Sequence, residues 1–574
     1  MKKILIYSSI LVAGLIATSC GKSLDEVPKS VVTPEIAYTN KAQFEAALAN
    51  IYLRVRTDMY CSGGDSKFNF DLMGVDADLA DVEGAGAKAG PYFNWNLINA
   101  DSGPARNWWT RFYRWIFDAN TIIDRADAPA AKWTSDAEKN AIVAEARFLR
   151  AWGYHFLANM YGNVPITLHE TTSPKFDYVQ TPQADVYKQC KADLEYAIQY
   201  MPRIDQLKGG RAPREAAYHL LTEVLIQLKD YDGAIAAANG VIDGGRNNLM
   251  TARFGKWTGF KFSGYTYQGP AKPWGDVYFD LFQDGNFNYT DGNREALWNI
   301  EQDPNMIGGN NTDAHPSGGL FVMERWWGPN AFVLQSADLK PGFLRDTLGG
   351  QPSAGMFATL YADTTIWQYK NDWNNDIRNS EFNIQRTWYF TNPATMYYGQ
   401  PITQARLSAA HAPFFRTRTK PQFKKCVTAV HYRKAQDPTS KEWHDNGRTY
   451  KDWYIMRLAE TYLLRAEAKL GKGDLAGAAT DINAIRNRAR ATPVTPGDVN
   501  IDLILDERAR ELYQEEFRLS TLMRLDKLNE YLMKYNGWVI ANNQVLDKHI
   551  NKFPIPNSEI EANKGAKLTQ NPGY

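Results

Sequence analysis

The sequence predicts a mainly α-helical fold: a scaffold of helical hairpins carrying a large, irregular, loop-rich insertion that contains short strands. Three observations carry this. Apolar residues recur three and four apart over long stretches at both ends of the chain. Two segments, Tyr218–Ala234 and Tyr462–Ala478, align with each other without gaps. The region between these ends is rich in Gly, Asn, Asp and Pro and holds Trp257, Trp274, Trp298, Trp326, Trp327, Trp367, Trp373, Trp388 and Trp443, a composition of loops and short strands.

From the start, Lys2 and Lys3 precede an apolar run, Ile4 to Ile16, then the small residues Ala17-Thr18-Ser19 and Cys20. Basic, apolar, small is the order of a secretory signal, and the run is too short to span a bilayer. A cysteine at the cut is the lipid-bearing residue of a bacterial lipoprotein. Residues 1–19 are therefore expected to be a lipoprotein signal peptide, Cys20 the lipidation site, and 20–40 a lipidated tether.

Residues 41–250 are expected to form an N-terminal helical scaffold. Phe44–Leu53, Trp109–Asn120, Ala144–Tyr161 and Tyr187–Tyr200 all show helical spacing, and Thr181-Pro182 suits a helix start with Thr as cap. Ala146–Phe156 and Tyr187–Tyr200 would pair as a hairpin across a loop through Pro165 and Pro174. In the two repeats, Tyr218/Tyr462, Leu220/Leu464, Glu223/Glu467, Asp230/Asp474, Gly233/Gly477 and Ala234/Ala478 coincide. Each reads as a helix, a turn near Asp and an Ala-rich helix, an arrangement that resembles the tetratricopeptide pair. Residues 251–450 form the aromatic-rich insertion, expected to be the ligand-binding lobe, and 451–574 a C-terminal helical scaffold. Near its end Glu507, Glu511, Glu515 and Glu516 interleave with Arg508, Arg510 and Arg518. This predicts a helix with ion pairs one turn apart and an apolar face of Ile504, Leu512, Leu519 and Met523.

The 574 residues have a formal net charge of +1, which gives no electrostatic footprint for nucleic acid. Cys20 apart, Cys61, Cys190 and Cys426 remain, an odd number without a disulfide framework or a thiolate metal site. His155 and His219 lie on predicted helices as packing or surface residues, and His411, His431 and His444 match no metal-ligand spacing. No catalytic motif of a metalloprotease, serine hydrolase or phosphate-binding loop is present, and no catalytic residue, metal or cofactor is expected. A glycosidase carboxylate pair has no locatable candidates.

Five stretches in order along the chain resemble signatures of the SusD/RagB outer-membrane lipoproteins. They are Leu24–Pro28 (LDEVP), Ala146–Ile166 (ARFLRAWGYHFLANMYGNVPI), Asp452–Ala468 (DWYIMRLAETYLLRAEA), Ile485–Ala489 with Ile504–Arg524, and the ending Phe553–Ile560 with Gln570–Tyr574. The resemblance implies a tetratricopeptide-like scaffold on a cell-surface lipoprotein of the outer membrane. It further implies a non-enzymatic protein without cofactor that binds oligosaccharides, or in some relatives peptides, and delivers them to a TonB-dependent transporter of the SusC type for nutrient uptake. A surface glycoside hydrolase is the remaining alternative.

Sugar rings lay C–H patches on indole or phenol faces, while their hydroxyls bond to Asp, Asn, Gln or Arg. The expected ligand platform is Trp326-Trp327, between the Gly318-Gly319 and Gly328-Pro329 punctuation. In a strand the two rings would face opposite ways, one toward ligand and one anchoring the loop. Trp95, Trp274, Asp76 and Asp78 are the further candidates.

Overall fold

The computed structural model describes residues 37–62, 73–74, 77–82, 94–264, 270–303, 320–321, 323–344, 350, 355–427 and 451–574. The signal, Cys20 and most of the tether lie outside them, as do Asp76, Trp443, His431 and His444.

Helix α1 (Lys41–Tyr60) buries Phe44, Leu48, Ile51, Val55 and Met59, one stripe at spacings of three and four. Helix α2 (Gly103–Ala126) begins with Pro104 in its first turn. Helix α3 (Asp136–Tyr161) starts at Ser135, whose hydroxyl accepts from Glu138 N, and stops at Gly162 with φ +77°. From Ile142 to its end α3 is buried on every side except Arg147, which makes it the central helix. Gly153 lets α2 approach closely: a Cβ there would meet Ile116 at 3.0 Å.

Helices α4 (Gln183–Tyr200), α5 (Arg214–Gln227) and α6 (Tyr231–Ile242) follow. Helix α4 packs against α3, as the hairpin reading expects. Its start differs from expectation. Thr181 lies in a two-residue strand paired with Val164–Pro165, Pro182 is the cap position without a side-chain bond, and the Asn163 side chain accepts from Gln183 N instead.

The predicted repeats are two hairpins of one design. Helix α5 leads to α6 through Asp230, which accepts from Gly233 N at 3.0 Å; α8 (Leu458–Lys472) leads to α9 (Leu475–Arg488) through Asp474, which accepts from Gly477 N at 2.8 Å. The left-handed residue before each cap is Lys229 (φ 60°) in the first and Gly473 (φ 86°) in the second. Although far apart in sequence, the hairpins stack, α8 lying on α5 and α6. Between them, helix α7 is the single turn Met323–Trp326.

The intervening region contributes to the common core. Strand β1 (Ala296–Ile300) is buried throughout and pairs antiparallel with β2 (Trp453–Arg457). Its Trp298 inserts against Trp152 of α3 with ring centroids 4.8 Å apart, and Trp152 stacks on Trp115 of α2 at 5.3 Å.

The acidic stretch departs from its prediction. Instead of one helix running from Ile504 to Met523, α10 (Ile501–Leu512) ends at Tyr513, Gln514 takes φ +68°, and α11 (Arg518–Arg524) resumes. Ile504, Leu512, Leu519 and Met523 are buried as expected. The charges, however, are buried too, and most of their partners lie on other elements. Glu507 takes Arg378 and Arg486 at 2.8 Å besides Arg510 on its own helix. Glu511 binds Arg457 at 2.7 Å and Arg378 at 3.1 Å, and also pairs with Arg488. Glu515 holds Arg457 at 2.8 Å and Lys425 at 2.6 Å. Glu295, just before β1, accepts from Arg457 and Arg488. Burial disfavours the charge on Glu507, but Arg378, Arg510 and Arg486 outweigh it and hold the carboxyl down to about 2.

Candidate functional site

Trp326 and Trp327 do not lie in a strand. Trp326 ends the single turn α7 and Trp327 follows it, where the chain turns back at once, Trp327 N donating to Met323 O at 2.8 Å. The turn separates the two rings. Trp327 is 2% exposed and meets Tyr513 edge-on at 5.6 Å; Tyr513 in turn stacks on Phe423 at 4.0 Å. Trp326 is half-buried at the rim of the core.

Two short ladders meet at this corner. Cys61–Ser62 pairs with Leu320–Phe321, and Ala80–Val82 pairs with Met356–Ala358. Met356 also bridges to Trp327 and Gly328, so the tryptophan turn is tied to the second ladder. Asp81 is in register with Phe357, a half-buried ring with the Lys420 ammonium 5.3 Å from its centroid. The tryptophan turn, Asp81 and the Phe357 ring with the Lys420 ammonium beside it thus lie on segments joined through the second ladder. Their rings, carboxylate and ammonium are the group types that take a sugar's C–H faces and hydroxyls.

The other predicted residues are placed differently. Asp78 is adjacent, but fully buried, its Oδ2 accepting from Arg518 at 2.6 and 3.0 Å and its Oδ1 at 3.2 Å. Burial pushes its carboxyl up against the pull of that guanidinium. This corrects the expectation that Asp78 accepts bonds from ligand hydroxyls: it orients α11 beneath the corner. Trp95 is 7% exposed and stacked on Phe553. Its neighbour Asn96 donates to Gln544 at 3.2 Å, on the loop whose Asn536 side chain holds Ala77 O. Trp274 is 8% exposed in a separate aromatic cluster with Phe262 and Phe382. Covered rings of this kind offer no free face, so Trp95 and Trp274 serve packing here. Asp76 lies outside the described residues.

Phe357 and Lys420 escaped the sequence reading because neither sits in a motif; the only hint was a Met-Phe-Ala run beside Gly355. Lys451 escaped as well. Its ammonium is buried and donates to the carbonyl oxygens of Lys425 and of Val427 (2.8 Å), and burial lowers it to about 8. His155 and His219 are packed as expected, against Glu223 at 2.6 Å and Thr461 at 2.8 Å. Cys190 and Cys426 are buried free thiols, and burial pushes Cys426 up to about 12.

Comparison with known proteins follows the same outline. The model of the SusD family matches residues 240–574, and one described as starch-binding associating with outer membrane matches 24–226. Among curated relatives, SusD-like protein P2 of Formosa agariphila is 27% identical over 42% of this chain and 46% of its own length. SusD-like protein P25 of the same organism is 20% identical over 95% of this chain and 94% of its own. The starch-binding protein SusD of Bacteroides thetaiotaomicron is 42% identical over 22% of each chain. Among solved structures, a SusD homolog from Bacteroides thetaiotaomicron superposes with TM-score 0.66 at 19% identity, covering 94% of this chain and 98% of that one. A laminarin-binding SusD-like protein gives 0.61 at 22% identity, covering 94% and 100%. At these identities the structural matches establish the shared fold.

Proposed function

Because the chain belongs to the SusD family, we propose that it is a glycan-binding lipoprotein of the outer membrane that captures oligosaccharides at the cell surface and passes them to a TonB-dependent transporter of the SusC type. The observation that carries this reading is the pair of family matches, which between them take in residues 24–226 and 240–574, the first described as starch-binding and outer-membrane-associated. Relatives named for starch and laminarin binding support a glycan as the ligand class.

The Trp326 corner is the proposed platform. The half-buried Trp326 ring would stack on a sugar, Trp327 would hold the turn against Tyr513, and Asp81 and Lys420 would bond hydroxyls. An aromatic ring covering a sugar removes up to about 150–250 Å² from water. At about 25 cal/mol per Å² this is a gross several kcal/mol, mostly offset by ordering the glycan, so affinity falls in roughly the micromolar to millimolar range. The site binds without cleaving. No described helix is long and apolar enough to cross a membrane, and attachment is assigned to the lipid on Cys20.

The test is affinity electrophoresis of the purified chain through soluble polysaccharides, with a reducing-end assay on the same mixtures. Retardation without new reducing ends is expected. Rapid release of reducing ends would make the protein a hydrolase, and retention by peptides alone would make it a peptide binder. Transporter delivery is tested by recovering the tagged, membrane-extracted chain in mild detergent, where a large barrel protein should accompany it.

A further inference from the structure

A cavity of about 450 Å³ opens between α2, the 165–178 loop and the C-terminal segment. It shares no lining residue with the Trp326 corner. Its size is that of small-molecule sites, and its walls are built from aromatic rings. Tyr113 and Phe117 sit four residues apart on one face of α2, about 6 Å along the helix, and Trp109, one step earlier and 4% exposed, packs beneath them against Tyr113 and Tyr161. Phe117 is 45% exposed. Tyr113 is fixed by its hydroxyl, which donates to Pro165 O at 2.7 Å.

The opposite wall carries Phe176, 55% exposed, and Tyr178. These rings stand on an anchored backbone. Tyr178 N donates to Asn563 Oδ1 at 2.7 Å, Asn563 Nδ2 donates back to Tyr178 O at 2.8 Å, and Gly565 N donates to Phe176 O at 2.6 Å. Only glycine fits at 565, since a Cβ would lie 2.9 Å from Phe176 O and from the Asp177 Cβ. Exposed phenyl rings on a backbone held this firmly are costly to leave in water, and they are pre-positioned for a ligand.

Polar groups complete the cavity. Glu559, half-buried beside Trp109, has no lysine or arginine within ion-pair distance among the described residues. Burial raises its carboxyl despite the Trp109 indole N–H. Lys175 lies on the other side, 5.5 Å from the Tyr178 ring, with Thr167 and Thr171 near it in the lining. Lys175 pairs with Asp177 at 3.5 Å, so Glu559 is the one charged group of the lining left to accept hydrogen bonds. Flat rings in series with scattered hydroxyl partners suit a neutral, ring-shaped, hydroxyl-rich molecule.

We propose that this cleft is a second saccharide-binding site, taking sugar units of a neutral glycan against Tyr113 and Phe117, with Phe176 and Tyr178 closing over the opposite side and Glu559 accepting from hydroxyls. The assignment rests on the glycan-binding reading above. Two sites on one anchored protein would hold a long polysaccharide by avidity even when each is weak.

Hydroxyl-radical footprinting tests it on the whole chain, with maltohexaose, laminarihexaose, cellohexaose and xylohexaose at millimolar concentration as probes. A hexasaccharide whose parent polysaccharide retards the protein is expected to protect Phe117, Phe176 and Tyr178, and to do so still in Trp326→Ala. The double variant Phe117→Ala/Phe176→Ala, with unchanged circular dichroism, should lose on the order of tenfold in polysaccharide affinity. Retardation by a glycan whose footprint spares Phe117 and Phe176 overturns the second site and leaves the glycan reading standing. Protection of these rings by a basic peptide and by no sugar also overturns it. If no polysaccharide retards the chain, the glycan reading fails, and this site with it.

Discussion

Neighbouring tryptophans at the corner differ in burial, Trp327 covered and Trp326 half-buried, and single substitutions separate the roles proposed for them. Trp327→Ala empties a site that is 2% exposed and packed on Tyr513, and should cost about 3–5 kcal/mol of stability, read as a lower urea midpoint. Trp326→Ala, at the rim, should shift that midpoint little and weaken glycan retention at least about tenfold, a loss of roughly 1.4 kcal/mol. If both variants bind like the parent, the platform is elsewhere. Sequence could mark the pair, since two large rings beside Gly-Pro punctuation are visible in one line. It could not choose between them, because Trp327 is covered by Tyr513 and Met356, which are remote in the chain. Asp78 failed for the same reason: nothing near it in sequence announces Arg518.

At the level of elements, the helices were the most legible part, because a buried stripe repeats within a dozen residues and needs no distant information. The stripe Phe44, Leu48, Ile51 in α1 and the two Asp-capped hairpins are examples. The acidic run at 507–516 was not legible in the same way. Spacings of three and four look alike whether a glutamate pairs along its own helix or across to another, and the break at Gln514 has no Gly or Pro to signal it. The paired hairpins also make a quantitative contrast. Lys229 occupies the left-handed position that Gly473 fills in the second copy. That conformation costs a non-glycine residue about 1–2 kcal/mol, partly offset by glycine's entropy in the unfolded chain. Lys229→Gly should therefore raise stability by roughly 0.5–1 kcal/mol, and an unchanged or lower urea midpoint would count against the strain. Gly471→Ala should do the reverse. Its Cβ would lie 2.4 Å from the Tyr231 ring where α8 crosses α6, and overpacking of this kind costs about 1–3 kcal/mol.

Across the whole molecule, the buried ion network joins the middle region to the C-terminal helices through Asp372, Arg378, Lys425, Arg457 and the α10 glutamates. Burial works against Glu507, but the Arg378, Arg510 and Arg486 guanidiniums hold it at about 2, and Arg508 with His219 holds Glu460 of α8 at about 2 against the same penalty, where about 4.3 is usual in an unfolded chain. A depressed carboxyl stabilises the fold above its unfolded value and ceases to do so as pH falls toward the folded one. Melting temperature should thus be steady from pH 7 to about 5 and drop steeply between about 4.5 and 2; a flat profile there would contradict the network. Glu507→Gln leaves Arg378, Arg486 and Arg510 short of a counter-charge and should cost about 3–5 kcal/mol. At the other end of the chain, Cys20→Ala should move the protein from the membrane to the soluble fraction, as should blocking lipoprotein signal cleavage with globomycin. Persistence at the membrane under both would remove the anchor.

The same network imposes an order on biosynthesis. The arginines at 378, 457, 486 and 488 are made before the glutamates at 507, 511 and 515 that complete their neutralisation, and β1 must await a partner strand made some 150 residues later. A nascent chain can collapse its early hairpins as they emerge, but its middle third cannot settle until nearly the last tenth has been synthesised. Contacts this distant slow folding. A chain cut short before α10 would keep only the earlier partners Glu295, Asp372 and Asp376 for these guanidiniums, leaving them short of counter-charge in what should be dry interior and the chain open to proteases.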